Sequence, residues 1–319
     1  MKRQTARLGT IILVLLTLIG GVAHAQRPAR VRLGLPVESL DGLALFVAQN
    51  RGFFTEQGIE AEITILRGGT GVIQTLVSGD IDIGMVGPVE VSLLRDKGVD
   101  VRLAMTTIDV PPFSLVVSKE ANITSVAGLR GRSIGVTSPG SLTYGLARYF
   151  VLKAGLQPDK DVTLLSLGGG PEMVGAFKAK KADALMLFEP FAQVLLAEGG
   201  ATVLVDVPKE LKGFPVFCVT VKKSLIDTNP ELVRKTSAAL VRALRFMKSD
   251  EAGTRAIAQK KFPGIKPEVL NPALDRYLPH FSKDGVLTAE TIQSAQEVLK
   301  AAGLIQTILP YQEIVVQLR

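Results

Sequence analysis

The chain has 319 residues, with 37 Lys and Arg against 30 Asp and Glu, one cysteine and no tryptophan. One cysteine excludes an intrachain disulfide, and the absence of Trp with only four Tyr counts against an aromatic platform for stacking sugars or bases. The length accommodates two domains of ordinary size.

The first residues read as an export leader. Lys2, Arg3 and Arg7 form a basic n-region, LGTIILVLLTLIGGV is an apolar run that is short and glycine-broken for a membrane span, and Ala23-His24-Ala25 fits a small-x-small cleavage site. Residues 1–25 are expected to be cleaved after Ala25; the alternative is an uncleaved N-terminal anchor, because leaders and short spans overlap in length. No cysteine follows the site, so a lipid anchor is not expected. Cleavage removes three basic residues and no acids, leaving 34 against 30, a net charge of +4. That balance is too mild to argue for nucleic acid, though it suits an anionic ligand.

From Val31 short β-rich runs alternate with helical stretches. VRLGLP, AEITIL, DIGMVG, VRLAMTT and FSLVVS read as strands, separated by segments such as DGLALFVAQNRGFF, GTGVIQTLVSG and PVEVSLLRDKG. A second series has strands RSIGVTS, VTLLSL, ALMLF and TVLVDV, with SLTYGLARYFVLKAG and GPEMVGAFKAKK as helices. Such alternation indicates βαβ units and mostly parallel, covered sheets. The series match loosely: VSGDIDIGMVGP and AKKADALMLFEP each run through an aspartate, Asp82 or Asp183, into an apolar strand and a proline, offset by one residue. Two lobes of like construction follow. PPFSLVVSK at 111–119 and PVFCVTVKK at 215–223 bracket the second series and read as two adjacent strands carrying the chain out and back. Cys218, within the latter run, reads as a buried, inert thiol. Further on, Asn229 and Thr288 cap helices that are expected to pad lobe one.

Within LMLFEPFAQ, Glu189-Pro190 interrupts a run apolar enough for a buried strand. Proline lacks the N–H a ladder needs but suits the first turn of a helix, so the stretch is a strand-to-helix junction carrying a carboxylate. That carboxylate either caps the following helix or enters a cleft and pairs with a cationic or N–H-rich ligand.

Ligands of open α/β sheets gather beyond the carboxyl ends of the strands, where helix N-termini also point. The junctions at such ends are 39–42, 68–71 and 87–90 in the first series, and 138–141, 168–170 and 188–190 in the second. Their free N–H groups, with the hydroxyls of Ser138, Ser141 and Thr143, form a small-anion site, or else are ordinary turn and cap residues. Catalytic patterns are missing. GGTG lacks the Gly-Lys-Ser/Thr ending of a P-loop, no dinucleotide fingerprint follows the first strand, and HExxH does not occur. Beyond the leader the lone histidine, His280, lies far in sequence from these junctions. No catalytic residue, metal or cofactor is expected.

LALFVAQNRGFFTEQGI, LVSGDIDIGMVG, ITSVAGLRGRSIGVTSPGSLTY and DALMLFEPFA resemble the nitrate/sulfonate/taurine-type solute-binding proteins of ABC importers and the related thiamine-precursor-synthase-like proteins, over about residues 31–250. The resemblance implies an α/β, two-lobed type II periplasmic binding protein fold with two crossover strands. Lobe one would hold residues 26–115 and 220–319, and lobe two residues 116–219. It implies a ligand site at Ser39, Leu40, Gly69, Thr70, Gly87, Val89, Ser138, Gly140, Ser141, Thr143, Phe188 and Glu189, and hinges at Ser114, Leu115, Cys218 and Val219. The expected function is a monomeric periplasmic receptor that binds a small anionic solute (sulfonate, nitrate or carboxylate-like) and hands it to an ABC permease in the inner membrane, without nucleic acid or cofactor. The alternatives are a pyrimidine-precursor synthase, which requires His280 to reach the cleft, and a sensory domain reporting to a membrane kinase. Sulfonate-type sites often carry more aromatic character than this Trp-free chain supplies, and the cysteine-rich motif of the synthases is not evident.

Overall fold

Apolar runs and glycine-rich junctions alternate along the chain, and the computed structural model, which describes residues 27–317, arranges them as two similar sheets. The expected leader and its expected cleavage site lie outside the described residues. The first series supplies β1 (Ala29–Leu35), α1 (Leu43–Asn50), β2 (Ile59–Ile65), α2 (Gly68–Ser78), β3 (Ile83–Val86), α3 (Pro88–Asp96) and β4 (Val101–Ile108). The second supplies β5 (Ser114–Ser118), β6 (Ser133–Val136), α4 (Leu142–Lys153), β7 (Thr163–Ser166), α5 (Gly170–Lys178), β8 (Ala184–Leu187), α6 (Phe191–Ala197) and β9 (Ala201–Asp206). The chain returns through β10 (Val216–Lys222) and ends in helices that include α7 (Pro230–Ser249), α8 (Glu251–Lys261), α9 (Pro267–Tyr277) and α10 (Ala289–Ala301).

Sheet one has the order β2-β1-β3-β10-β4 and sheet two the order β7-β6-β8-β5-β9. In each, three parallel strands are followed by one antiparallel strand contributed from across the molecule: β10 against β3 and β4, β5 against β8 and β9. The aspartate of the loose repeat performs one task in both sheets. Asp82 accepts the Arg32 N–H at 2.9 Å and its guanidinium at 2.7 Å, and Asp183 accepts the Ser133 N–H at 2.9 Å and its hydroxyl at 2.8 Å. Each thereby fastens the strand it precedes to the neighbouring parallel strand.

Four expectations need correction. The segments 111–119 and 215–223 do form strands, but β5 and β10 are not adjacent; each sits inside a different sheet with partners on both edges. Runs buried on both faces, as SLVVS and VFCVTV are, demand such interior positions. Because β5 belongs wholly to sheet two and β10 wholly to sheet one, boundaries at 115/116 and 219/220 would cut through strands. The linking segments are 109–113 and 207–215.

The hinge residues move with this. Ser114 and Leu115 pair with Leu187 and Met186, and Cys218 and Val219 pair with Val86 and Met85, all four being buried. A residue held by a ladder on both sides cannot absorb a large φ/ψ change. Finally, the C-terminal helices do not pad lobe one alone. α7 packs on α1, but α9 lies against α6 of lobe two and α10 against both α3 and α4. The predicted caps are present: Asn229 accepts the Leu232 N–H at 3.2 Å and Thr288 the Thr291 N–H at 3.2 Å. Among the described residues no helix is long and apolar enough to cross a membrane.

Candidate functional site

The carboxyl ends of β1, β3, β6 and β8 meet between the sheets, around a cavity of about 30 Å³. Lobe one lines it with Pro36, Val37, Asp41, Gly69, Gly87 and Glu90 among others, lobe two with Thr137, Ser141, Leu142, Thr143 and Phe188, and the chain entering and leaving lobe two adds Phe113 and Phe217. The lobes touch around it. Leu40 N–H donates to the Glu189 carbonyl at 2.9 Å, and the Thr70 hydroxyl donates to the Pro139 carbonyl at 2.7 Å. A space this size holds a few waters, so the lobes are closed upon each other.

Of the residues anticipated as ligand contacts, Gly69, Gly87, Ser141, Thr143 and Phe188 reach the cavity wall. Ser39 is buried and gives its hydroxyl to Asp41 at 2.6 Å; Leu40 is core; Val89 is buried in the first turn of α3. Thr70 and Ser138 face each other at 3.4 Å beside the lobe contact, and Gly140 shapes its turn with φ of 77°. None of these six lines the cavity.

Nor does Glu189. It is 1% exposed, its Oε2 accepts the Gln193 N–H at 2.8 Å, and its Oε1 lies 3.7 Å from Arg276 Nε without a hydrogen bond. The carboxylate in LMLFEPFAQ is the cap of α6, turned toward α9. Pro190 stands at the N-cap position of that helix, one place before the expected first turn. Burial pushes Glu189 up to about 7 against the lowering effects of the Gln193 N–H and Arg276.

Two further acids line the cavity, both within junctions the sequence marks. Asp41 accepts hydrogen bonds from the Ser39 hydroxyl and from Tyr277 Oη at 2.7 Å, and Glu90 accepts the Gly87 N–H at 3.2 Å in a capping arrangement. Burial drives each carboxyl up to about 7, outweighing the hydrogen bonds that lower it. Gly69 leaves the space that Glu90 fills: a Cβ there would come within 2.2 Å of Glu90 Oε1. Opposite stands a hydroxyl triangle. Thr137 Oγ1 lies 2.8 Å from Ser141 Oγ and 2.9 Å from Thr143 Oγ1, and Ser141 Oγ lies 2.9 Å from Thr143 Oγ1.

Aromatic surface, which the composition made scarce, is concentrated here. Phe113 and Phe188 rings sit 5.7 Å apart, and Phe217 lines the wall with φ of 51°, a left-handed conformation that costs a bulky residue about 1–3 kcal/mol. No Lys, Arg or His is among the described residues lining the cavity. The anion-site expectation rested on N–H groups and hydroxyls; of the latter Ser141 and Thr143 line the cavity, together with two carboxyls. His280 is half-buried on the stretch after α9 and does not line the cavity; burial lowers its pKa. Cys218 is fully buried, with its thiol pKa pushed well up by burial, as expected of an inert thiol. Among the described residues no cluster of three or more His, Cys, Asp or Glu could hold a metal.

Residues 41–252 match the family described as NMT1/THI5 like. The chain belongs to the NMT1/THI5-like family. It is 22% identical over 292 residues to YtlA of Bacillus subtilis (strain 168), covering 90% of this chain and 87% of YtlA. It is 24% identical over 345 residues to the riboflavin-binding protein RibY of Chloroflexus aurantiacus, covering 98% and 96% of the two chains. Among solved structures, the alkanesulfonate-binding protein SsuA from Xanthomonas axonopodis pv. citri superimposes with a TM-score of 0.77 at 20% identity, covering 91% of this chain and 99% of SsuA. The NMT1/THI5-like chain therefore has the periplasmic binding protein fold, with two five-stranded sheets formed by the described residues.

Proposed function

We propose that this NMT1/THI5-like chain is the exported solute-binding component of an ABC importer. It captures a small solute between its lobes and presents the closed form to a membrane permease. One observation carries this: a cavity at the strand ends is walled by both lobes, and hydrogen bonds cross between the lobes beside it. Opening at 109–113 and 207–215 would break the Leu40–Glu189 and Thr70–Pro139 bonds and admit a solute; closure around it would restore them and exclude water. The names of RibY and SsuA, a riboflavin-binding and an alkanesulfonate-binding protein, support a binding role and differ in the charge of what is bound. Binding without chemical conversion, a periplasmic location and a monomeric receptor complete the proposal.

The test uses the chain from Gln26 onward, refolded from denaturant, with nitrate, sulfonates including taurine, carboxylates, amines and aminopyrimidines. A solute at one hundred times its Kd adds about 2.7 kcal/mol, raising the melting midpoint by about 5 °C for a chain of this size. X-ray scattering should show the radius of gyration contracting as it binds. No stabilisation by any class, or conversion of a bound compound into product, overturns the proposal.

A further inference from the structure

We propose that the solute is an organic cation, an ammonium, amidinium or guanidinium compound, whose positive nitrogen seats between Asp41 and Glu90. This rests on the solute-receptor reading and assigns the charge of what it binds.

The two carboxyls come from separate elements of lobe one, the turn before α1 and the first turn of α3, and line one cavity. Their hydrogen-bond partners are all neutral: the Ser39 and Tyr277 hydroxyls for Asp41, and the Gly87 and Leu142 N–H groups for Glu90. Three half-buried acids elsewhere have cationic partners instead. Asp82 pairs with Arg32 at 2.7 Å, Asp183 with Arg132 at 3.3 Å, and Asp206 with Arg276. Buried carboxyls without a counter-charge are costly, and these two are 0% and 3% exposed.

Glycine at 69 shows that the space for Glu90 at the wall is built in, since any Cβ there would collide with the carboxylate oxygen. A bound cation would supply the missing charge, donating hydrogen bonds to both carboxylates. Phe113, Phe188 and Phe217 would cover its apolar body and offer ring faces to the charge. An anion in the same place would face two carboxyls with no cationic side chain among the described lining residues.

The titratable groups facing these acids are neutral or acidic. Tyr277 donates to Asp41, Glu189 acts on Asp41 across the lobe contact, and Cys218 lies within the field of Glu90. A cation arriving between Asp41 and Glu90 therefore expels the protons that burial keeps on them near neutral pH.

The experiment compares compounds of matched skeleton by titration calorimetry on the chain from Gln26 onward: benzylamine and benzamidine against benzoate and benzenesulfonate, and butylamine against butyrate and butanesulfonate. The expected result is binding confined to the nitrogen bases. Their measured heat should change with the ionisation heat of the buffer, as proton release requires, and affinity should fall at least tenfold in Asp41→Asn and in Glu90→Gln. A sulfonate or carboxylate that binds more tightly than its matched base, unaffected by either substitution, overturns the cation assignment and leaves the receptor reading standing. If no member of any pair binds, the cation assignment falls, and the broader solute panel decides the receptor reading. The comparison between matched compounds is made on the unaltered chain, so it decides even if a variant does not fold.

Discussion

Glu189 is held by opposing forces. Its Oε2 caps α6 through the Gln193 N–H, while burial without a hydrogen-bonded counter-charge raises its pKa to about 7. Glu189→Gln keeps an oxygen for the cap and removes the charge. In urea unfolding at pH 8 its stability should equal or exceed that of the unaltered chain. Glu189→Ala loses the cap and should cost about 1 kcal/mol. Solute affinity should be preserved in both, because Glu189 does not line the cavity. A selective loss of affinity in the glutamine variant would return the residue to the binding site.

At the scale of elements, α9 occupies the position that connects cavity and linkers. Neighbouring residues on it reach in two directions. Tyr277 Oη donates to Asp41 at 2.7 Å, while the Arg276 guanidinium donates to the Phe113 carbonyl at 3.2 Å, to Ser114 Oγ at 2.9 Å and to Asp206. Phe113 ends the outgoing linker and Asp206 precedes the returning one, so one side chain ties both. Arg276→Ala removes these charge-assisted bonds and should destabilise the chain by about 2 kcal/mol in urea unfolding. It should also enlarge the radius of gyration without solute, by favouring the open form. An unchanged radius would show that the linkers hold the lobes by themselves. α5 and α6 offer a packing test. Gly170 at the start of α5 admits the Phe191 ring, and a Cβ would fall 2.1 Å from it. Gly170→Ala should cost about 1–3 kcal/mol by overpacking, read from the same unfolding midpoint.

Across the whole molecule the acids form two groups with opposite effects on stability. Burial lifts Asp41, Glu90 and Glu189 from ordinary values of 3.8 and 4.5 to about 7. Between those limits the native chain keeps protons that the unfolded chain has lost, so stability from these groups is greatest below about pH 4 and is lost as pH rises toward 7. Burial also pushes Asp82, Asp183 and Asp206 upward, but hydrogen bonds and charge from Arg32, from Ser133 with Arg132, and from Arg276 hold them below the ordinary value. Their contribution is present above about pH 4 and lost as pH falls further. Thermal melts of the solute-free chain should therefore peak between about pH 4 and pH 5 and decline toward pH 8. A variant combining Asp41→Asn, Glu90→Gln and Glu189→Gln should flatten the decline while keeping the loss at acid pH. An equally steep decline in that variant would refute the assignment.

The sequence by itself determined the alternation of strands and helices, the kinship of the two series through Asp82 and Asp183, and the gathering of loops at strand ends. Those features depend on periodicity, glycine and capping chemistry, all local to a few residues. It also placed Asp41 and Glu90 within the right junctions without showing that they face a cavity. Which side chain in a junction points inward was decided by tertiary partners. Asp41 is held by Tyr277, 236 residues away, Glu189 is turned toward α9, and β5 and β10 are drawn into separate sheets because each is buried on both faces. No window of neighbouring residues contains those partners, so the direction of a junction side chain and the lobe to which a strand belongs emerge only when the distant elements pack.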